Sequence, residues 1–310
     1  DTSSRIPSTQ ILIVTGKGGV GKSAVATALA AESARQGKRT LLTVYEREDT
    51  HNPLLGTKIS YALNQARPNL WVSRLDARLS MKEYIHRTIP LHLLYDWILD
   101  GKILGQFTDA APGFDELMCL GKLYDLSEGS NGKAHFDRII FDAPATGHCA
   151  LMLRTPKVTA ETVRTGPLAK NALSVHDMLA DEARTSVLVV ALAEEMALQE
   201  GSELQRYVSE DLNFNVGPML VNRVRPQRFS AEEASLLRDF KSPSPEAQAI
   251  ADAALAHFDL STLQTQYIDQ FKTGASELIA VPQVIQDSFR NADLIEAMAD
   301  ALAPAMQESI

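Results

Sequence analysis

The stretch Gln10-Ile11-Leu12-Ile13-Val14-Thr15-Gly16-Lys17-Gly18-Gly19-Val20-Gly21-Lys22-Ser23 decides the fold. Ile11 to Val14 is a short apolar run closed by glycines, the pattern of a buried strand. After Gly16, Gly18, Gly19 and Gly21 an alanine-rich helical stretch runs to about Gln36. Gly16-x-x-x-x-Gly21-Lys22-Ser23 is therefore a P-loop pattern in its required context, strand before and helix after. Its physics is anion binding. Glycines let successive backbone N–H groups turn inward and approach phosphate oxygens. The helix N-terminus adds free donors and a dipole. Lys22 neutralises the β- and γ-phosphates of a nucleotide, and the Ser23 hydroxyl ligates Mg²⁺. Gly18, Gly19, Val20, Gly21, Lys22, Ser23 and Ala24 are the candidate binding residues of this loop.

Outward from the loop, strands and helices alternate. Thr40 to Tyr45 reads as the second strand and Asn69 to Leu75 as the third. Phe136 to Phe141 is the fourth, ending in Asp142, a candidate carboxylate for holding Mg²⁺ through water. Residues 157 to 184 are helical. Ser186 to Leu192 is the fifth strand, with helix-like sequence to about Leu212, and Val216 to Val221 the sixth, ending in Asn222-Arg223. A short helix is expected at Ala231 to Phe240, then helices at Glu246 to Phe258 and Leu260 to Lys272. Leu278 to Val281 is the last strand and Ala292 to Leu302 the closing helix. The alternation shows no break in composition. It points to a single α/β domain over 1–310, a doubly wound, mostly parallel sheet.

A helical insertion interrupts the strands from about 80 to 127. Tyr84, Ile85, Ile89, Leu91, Leu94, Trp97, Ile98, Ile103, Leu104 and Phe107 recur at spacings of three to five. Such stripes usually face the domain's own core. The other reading is a groove for an apolar partner helix.

Composition narrows the function. Hydrophobic residues make up 45% and charged residues 22%, which is globular. The net charge of −9 with scattered basic residues argues against a nucleic-acid surface. No apolar run approaches a membrane span. Asp1-Thr2-Ser3-Ser4 is polar, and no secretory leader is expected. Two cysteines, Cys119 and Cys149, are too few for a disulfide framework. A cytoplasmic protein is expected.

Lys17-Gly18-Gly19-Val20-Gly21-Lys22-Ser23 resembles the deviant P-loop of ATPases that dimerise around nucleotide. Asp142-Ala143-Pro144-Ala145-Thr146-Gly147-His148 resembles the switch II stretch of one branch of them, the ArsA/GET ATPases (arsenite pump subunits and tail-anchored-protein targeting factors). Thr146, Gly147 and His148 fall in register, as does Pro156 beyond them. The resemblance covers nearly the whole chain and is thin in the insertion.

That resemblance implies a Mg²⁺-dependent ATPase with ATP as its nucleotide. Lys17 would reach the nucleotide of the facing subunit, and Gly147 would let a backbone N–H approach the γ-phosphate. Asn222 would read adenine, since an amide offers both a donor and an acceptor to adenine N6 and N7. Asn222-Arg223-Val224-Arg225 departs from the Asn-Lys-x-Asp pattern of guanine readers, so ATP is favoured over GTP. Pro282-Gln283-Val284 resembles the family's adenine-flanking loop. Implied partners are a second copy of the chain or an ArsA-like paralogue, and an apolar or membrane-associated client.

The chain departs from the family in places. Gapless alignment from Leu41-Leu42 to Gly56 sets Glu46 where the family has its water-orienting aspartate. The family's Asp-Pro-Ala-His is here Glu46-Arg47-Glu48-Asp49, with Asp49 the next candidate. The paired-cysteine zinc motif is absent, and two cysteines cannot form a three-cysteine arsenite site. Cys149 sits seven residues after Asp142, as a [4Fe–4S] ligand does in the nitrogenase iron protein. Against a cluster, Cys119 lies in an apolar helical run. Two further readings stay open: a non-hydrolysing subunit paired with an active paralogue, and an enzyme phosphorylating a small molecule.

Overall fold

A strand at the centre of a sheet covered on both faces must be apolar on both sides. β1 (Ile11–Gly16) meets that condition, with all six residues buried. Ile11 and Ile13 face one layer of helices, Leu12 and Val14 the other. β5 (Arg138–Ala145) and β6 (Thr185–Leu192) flank β1 in parallel. On the β5 side follow β2 (Thr40–Val44), β4 (Leu70–Arg74) and β3 (Asn64–Arg67). On the β6 side follow β7 (Met219–Val224) and β8 (Leu278–Pro282). The order is β3-β4-β2-β5-β1-β6-β7-β8, and β3 alone of these eight runs antiparallel to its neighbour. The computed structural model describes residues 5–45, 52–88, 113–129, 135–272, 277–284 and 291–307.

Two helical layers close the core. α1 (Lys22–Arg35) lies on one face and is buried almost all round, because its alanines let strands and α10 (Asn291–Met306) approach closely. Arg35 bridges from α1 to Asp300 of α10 at 2.7 Å. The other face is covered by α4 (Phe114–Glu128), α5 (Thr146–Val163), α6 (Pro167–Ala180) and α7 (Glu195–Arg206). α2 (Asn52–Leu55) and α3 (Ala77–Thr88) follow β2 and β4. α8 (Ala231–Asp239) and α9 (Pro245–Lys272) connect β7 to β8.

The expected strands and most helices are present, with several differences. The helical stretch expected at 157 to 184 is two helices, α5, which starts at Thr146, and α6, parted by Arg164 to Gly166, and the fourth strand runs on past Asp142 to Ala145. β3 has no counterpart in the sequence reading. It is a polar, half-buried edge strand, so hydropathy carries no trace of it. Pro68-Asn69 turns it into β4, with Pro68 setting φ and Asn69 taking φ 59. The helices expected on either side of Asp259 are one, α9. Aspartate lowers helix propensity only modestly, and Asp259 accepts a 2.8 Å bond from Arg238 on α8. The last turn after α7 is a π-helical turn, Tyr207–Asp211. Finally, β7 begins at Met219 rather than Val216. Val216 makes only an isolated bridge to Val187, and Pro218 has no N–H for a ladder. β7 also runs on to Val224, so Asn222 and Arg223 lie within the strand.

α3 and α4 occupy the two ends of the expected helical insertion; 89–112, with Ile89 to Phe107 of the apolar pattern, lies outside the described residues. What is described serves packing. Met81 and Ile85 of α3 meet Leu117 and Met118 of α4, Ala160 of α5 and Ala172 of α6. Among the described residues no helix is long and apolar enough to cross a membrane.

Gly16 closes β1 at φ 150, and a Cβ there would lie 2.1 Å from the Val190 carbonyl oxygen. That neighbour is sheet backbone and cannot rotate away. Gly16→Ala is therefore expected to cost about 3 kcal/mol, read as a melting point lowered by roughly 5 °C or more. An unchanged melting curve would mean that the β1–β6 spacing yields.

Candidate nucleotide site

The site forms at the carboxyl edge of the sheet, where open α/β sheets hold ligands. β1 ends at Gly16 and α1 begins at Lys22, so the loop has only five residues to turn. Gly21 stands at the helix N-cap with φ 91, and no side chain caps α1. The first amides of α1 thus keep their donors for a ligand. A Cβ at Gly18, Gly19 or Gly147 would meet no protein atom. These three glycines border open space. Lys22, at the base of the loop, is 8% exposed.

Side chains hold the loop from several directions. Thr15 Oγ1 donates to the Pro144 carbonyl at 2.8 Å, joining the end of β1 to the segment after Asp142. Ser23 Oγ donates to Asp142 Oδ2 at 2.7 Å. Asn222 Nδ2 donates to the Val20 carbonyl at 2.9 Å, and Arg223 N donates to Asn222 Oδ1 at 2.9 Å. Lys17 Nζ meets Glu200 Oε1 of α7 at 2.8 Å, an exposed pair. Gly21 is required here for a second reason. A Cβ would fall 2.4 Å from Asn222 Nδ2.

Most of the sequence-predicted residues converge on this loop. Lys17, Gly18, Gly19, Val20, Gly21, Lys22, Ser23 and Ala24 form the turn and the start of α1. Asp142 lies within the buried run of β5, which continues to Pro144, and is 4% exposed. Gly147 lies in the first turn of α5. Asn222 serves first as a fastener of the loop. Each end of its amide keeps capacity for one more bond after the two above. Arg223 has φ 57 and is exposed. Pro282 pairs with Val224 across β7 and β8, and Gln283 N donates to the Val224 carbonyl at 2.8 Å. Val284 packs partly against the α1 layer. Glu46 and Asp49 lie outside the described residues. The sequence reading missed Thr15, Glu200, Tyr45 and Glu116. Their partners lie far away in the chain, and no local motif marks them.

His148 sits where three elements meet. Its Nε2 is 2.7 Å from Glu116 Oε1 on α4. Its ring stands edge-on to Tyr45, at the end of β2, with centroids 5.2 Å apart. Beside it a cavity of about 600 Å³ opens between Tyr45, Arg74, Asp76, Arg78 and Asp115. A larger cavity, about 730 Å³, lies at the opposite edge of the sheet between Arg5, Arg206 and Glu277.

Mg²⁺ prefers hard oxygens and usually keeps several waters and phosphate oxygens. One hydroxyl and one carboxylate, side by side at the loop's base, suit it. Among the described residues no three His, Cys, Asp or Glu gather as a metal site. Both cysteines are buried. Burial pushes the Cys149 thiol up to about 11, with Thr15 and Lys22 opposing it, and pushes Cys119 up as well. Neither is set up as the thiolate that a cluster or arsenite needs.

The family model described as anion-transporting ATPase matches residues 9–174, just over half of the chain. The ATPase BagA of Mycobacterium tuberculosis is 25% identical over 282 residues, covering 86% of this chain and 81% of that protein. The arsenical pump-driving ATPase of Acidiphilium multivorum is 27% identical over 285 residues, covering 85% of this chain and 48% of that protein. One from Escherichia coli is 26% identical over 299 residues, 89% and 50%. The chain spans about half the length of these two pump-driving ATPases.

Proposed function

Given that the chain belongs to the anion-transporting ATPase (ArsA) family and is an ATPase, we propose that it is a Mg²⁺-dependent dimeric switch whose hydrolysis of ATP governs the holding of an apolar client. The observation that carries the nucleotide chemistry is the 2.7 Å bond from Ser23 Oγ to Asp142 Oδ2. It joins the phosphate loop to Asp142 of β5, where the proposed metal would sit. When bound, Mg²⁺ would neutralise developing charge on the phosphates; Ser23 would ligate it and Asp142 would hold it through water. The loop amides and Lys22 bind and orient the phosphates. Glu46 orients the attacking water. Lys17 leaves Glu200 and acts across the dimer on the phosphoryl group of the facing chain. An exposed pair such as Lys17–Glu200 is worth only about 0–1 kcal/mol, so it opposes the exchange only weakly.

The client would sit on the helices between β4 and β5. The net charge of −9 speaks against nucleic acid as partner, and the cell compartment proposed is the cytoplasm. The arsenical substrate in the relatives' names is not carried over, because two buried thiols do not make its site. A second reading is a regulatory subunit paired with an active paralogue, favoured by glutamate at position 46. Turnover decides between them. The isolated chain should hydrolyse ATP with Mg²⁺, without any acceptor, and more than proportionally with protein concentration. No turnover at any concentration supports the regulatory subunit, and turnover that needs an added acceptor supports a kinase.

The same assay checks the base. ATP should be preferred to GTP, and Asn222→Ala should weaken ATP binding about tenfold or more by freeing Val20 as well as removing the base contact. Equal affinity of wild type for the two nucleotides would remove Asn222 as a base reader.

A further inference from the structure

One residue too many stands in β7 beside the phosphate loop. Val221 pairs with Ala280 of β8 and Val224 with Pro282. β7 thus spends two residues, Asn222 and Arg223, where β8 spends one, Val281, which is a β-bulge. Val221 and Val224 both pack on the layer of α4 to α7, three positions apart where a regular strand would need two. Arg223 is exposed and takes φ 57, a left-handed value that glycine adopts easily and arginine does not. Its N–H donates to Asn222 Oδ1 at 2.9 Å. The bulge thereby fixes which end of the Asn222 amide is which, and leaves Nδ2 to the Val20 carbonyl.

Such a backbone conformation persists only where its surroundings hold it. The holding comes from α9. Gln264 Oε1 accepts from Arg225 N at 2.8 Å, and Gln264 Nε2 donates a longer bond to the Arg223 carbonyl at 3.4 Å. One amide thus clamps the backbone on both sides of Val224. Two turns earlier on α9, His257 Nε2 donates to the Pro226 carbonyl at 2.9 Å. His257, Ser261, Gln264 and Ile268 share one face of α9 by helical spacing, and Ser261 and Ile268 are buried. The clamp is therefore carried by a seated helix and not by a loop.

We infer that Gln264 is a positioning residue for the preference between bases: by clamping the backbone on either side of Val224 it holds Arg223 in the bulge, and through it the Asn222 amide in the orientation that reads adenine. This rests on the proposed reading of Asn222 as the base reader. It adds what fixes that amide, and from which helix. A loosened phosphate loop would weaken ATP and GTP alike, whereas a misdirected amide changes their ratio.

Affinities of the full chain for ATP and for GTP, each with Mg²⁺ and measured by calorimetry, test it. In Gln264→Ala the ATP-to-GTP affinity ratio should fall about fivefold, with the melting point little changed. Arg223→Gly supplies the left-handed conformation unaided, so adding Gln264→Ala to it should change the ratio much less. Arg223→Gly and Arg223→Val remove the same guanidinium. Only the valine variant should lose the preference, because a β-branched residue resists positive φ. A wild type that does not discriminate overturns Asn222 as base reader and this linkage with it. A wild type that discriminates, with the same ratio in Gln264→Ala, overturns the linkage and leaves Asn222 standing. An equal loss from Gln264→Ala with and without Arg223→Gly overturns the bulge as the route. Should Gln264→Ala not fold, the two Arg223 variants decide, and equal ratios in them overturn the proposal.

Discussion

Mixing Lys17→Ala chains with Glu46→Gln chains should restore turnover that neither variant has alone. Lys17 lies in the loop and is paired with Glu200 on α7 at 2.8 Å. A cation supplied from a facing subunit to a transferring phosphoryl group is worth roughly 10³-fold or more in rate. Lys17→Ala should lose about that much, yet bind ATP through Gly18 to Ser23. Glu46→Gln should lose a similar amount while trapping the bound, closed form. In a mixed dimer with a two-fold axis, both defects fall on one nucleotide and neither on the other. A one-to-one mixture then recovers about a quarter of the wild-type rate if the chains pair at random. Mixed dimers that form and stay inactive would show that Lys17 does not act in trans. Normal turnover by Glu46→Gln would pass the water-orienting role to another residue, Asp49 first.

Asp142→Asn should abolish Mg²⁺-dependent hydrolysis and leave the free protein at least as stable. Asp142 is 4% exposed and its Oδ2 takes the Ser23 hydroxyl proton bond at 2.7 Å. Asparagine keeps an oxygen for that bond but removes the charge that holds the metal's water shell. A loss of roughly 10²-fold or more in kcat is expected. A buried carboxylate costs solvation energy in the ligand-free fold, so its neutral analogue should not lower the melting point. The reverse holds with ligand present. Mg²⁺ and ATP together should raise the wild-type melting point by linkage and raise that of Asp142→Asn much less. Equal ligand-induced shifts in the two proteins would take Asp142 out of the metal site.

Much of this arrangement was legible in the sequence because it is local. Gly16 to Ser23 lies between an apolar run and an alanine-rich run, so its strand, turn and helix could be assigned together. Asp142 could be placed because the run just before it, Ile139 to Phe141, is apolar on both faces, as a central strand must be. β3 was not legible, because an edge strand of Asn64, Gln65, Ala66 and Arg67 has one half-wet face and no alternation to detect. α9 was read as two helices, since Asp259 is a weak helix former whose partner Arg238 lies on another helix. Thr15–Pro144, Lys17–Glu200 and His148–Glu116 were illegible for a common reason. Each joins residues that are neighbours only once the sheet order is known. The asparagine at 222 was legible as a site residue but not as a fastener of the loop, because that role depends on its bond to Val20, 202 positions away in sequence.

The bond from Asn222 to Val20 spans 202 positions of sequence. On the ribosome the phosphate loop is therefore among the first parts made and among the last finished. Its anchors arrive in turn: Asp142 and Pro144, then Glu200, then Asn222. Until β7 has emerged and joined β6, the nascent chain carries a glycine-rich loop without its far wall. A nascent chain stalled before that point has strands β1 to β6 to pair but no rigid cradle to offer a nucleotide. The ability to bind thus matures late in synthesis, after most of the sheet already exists.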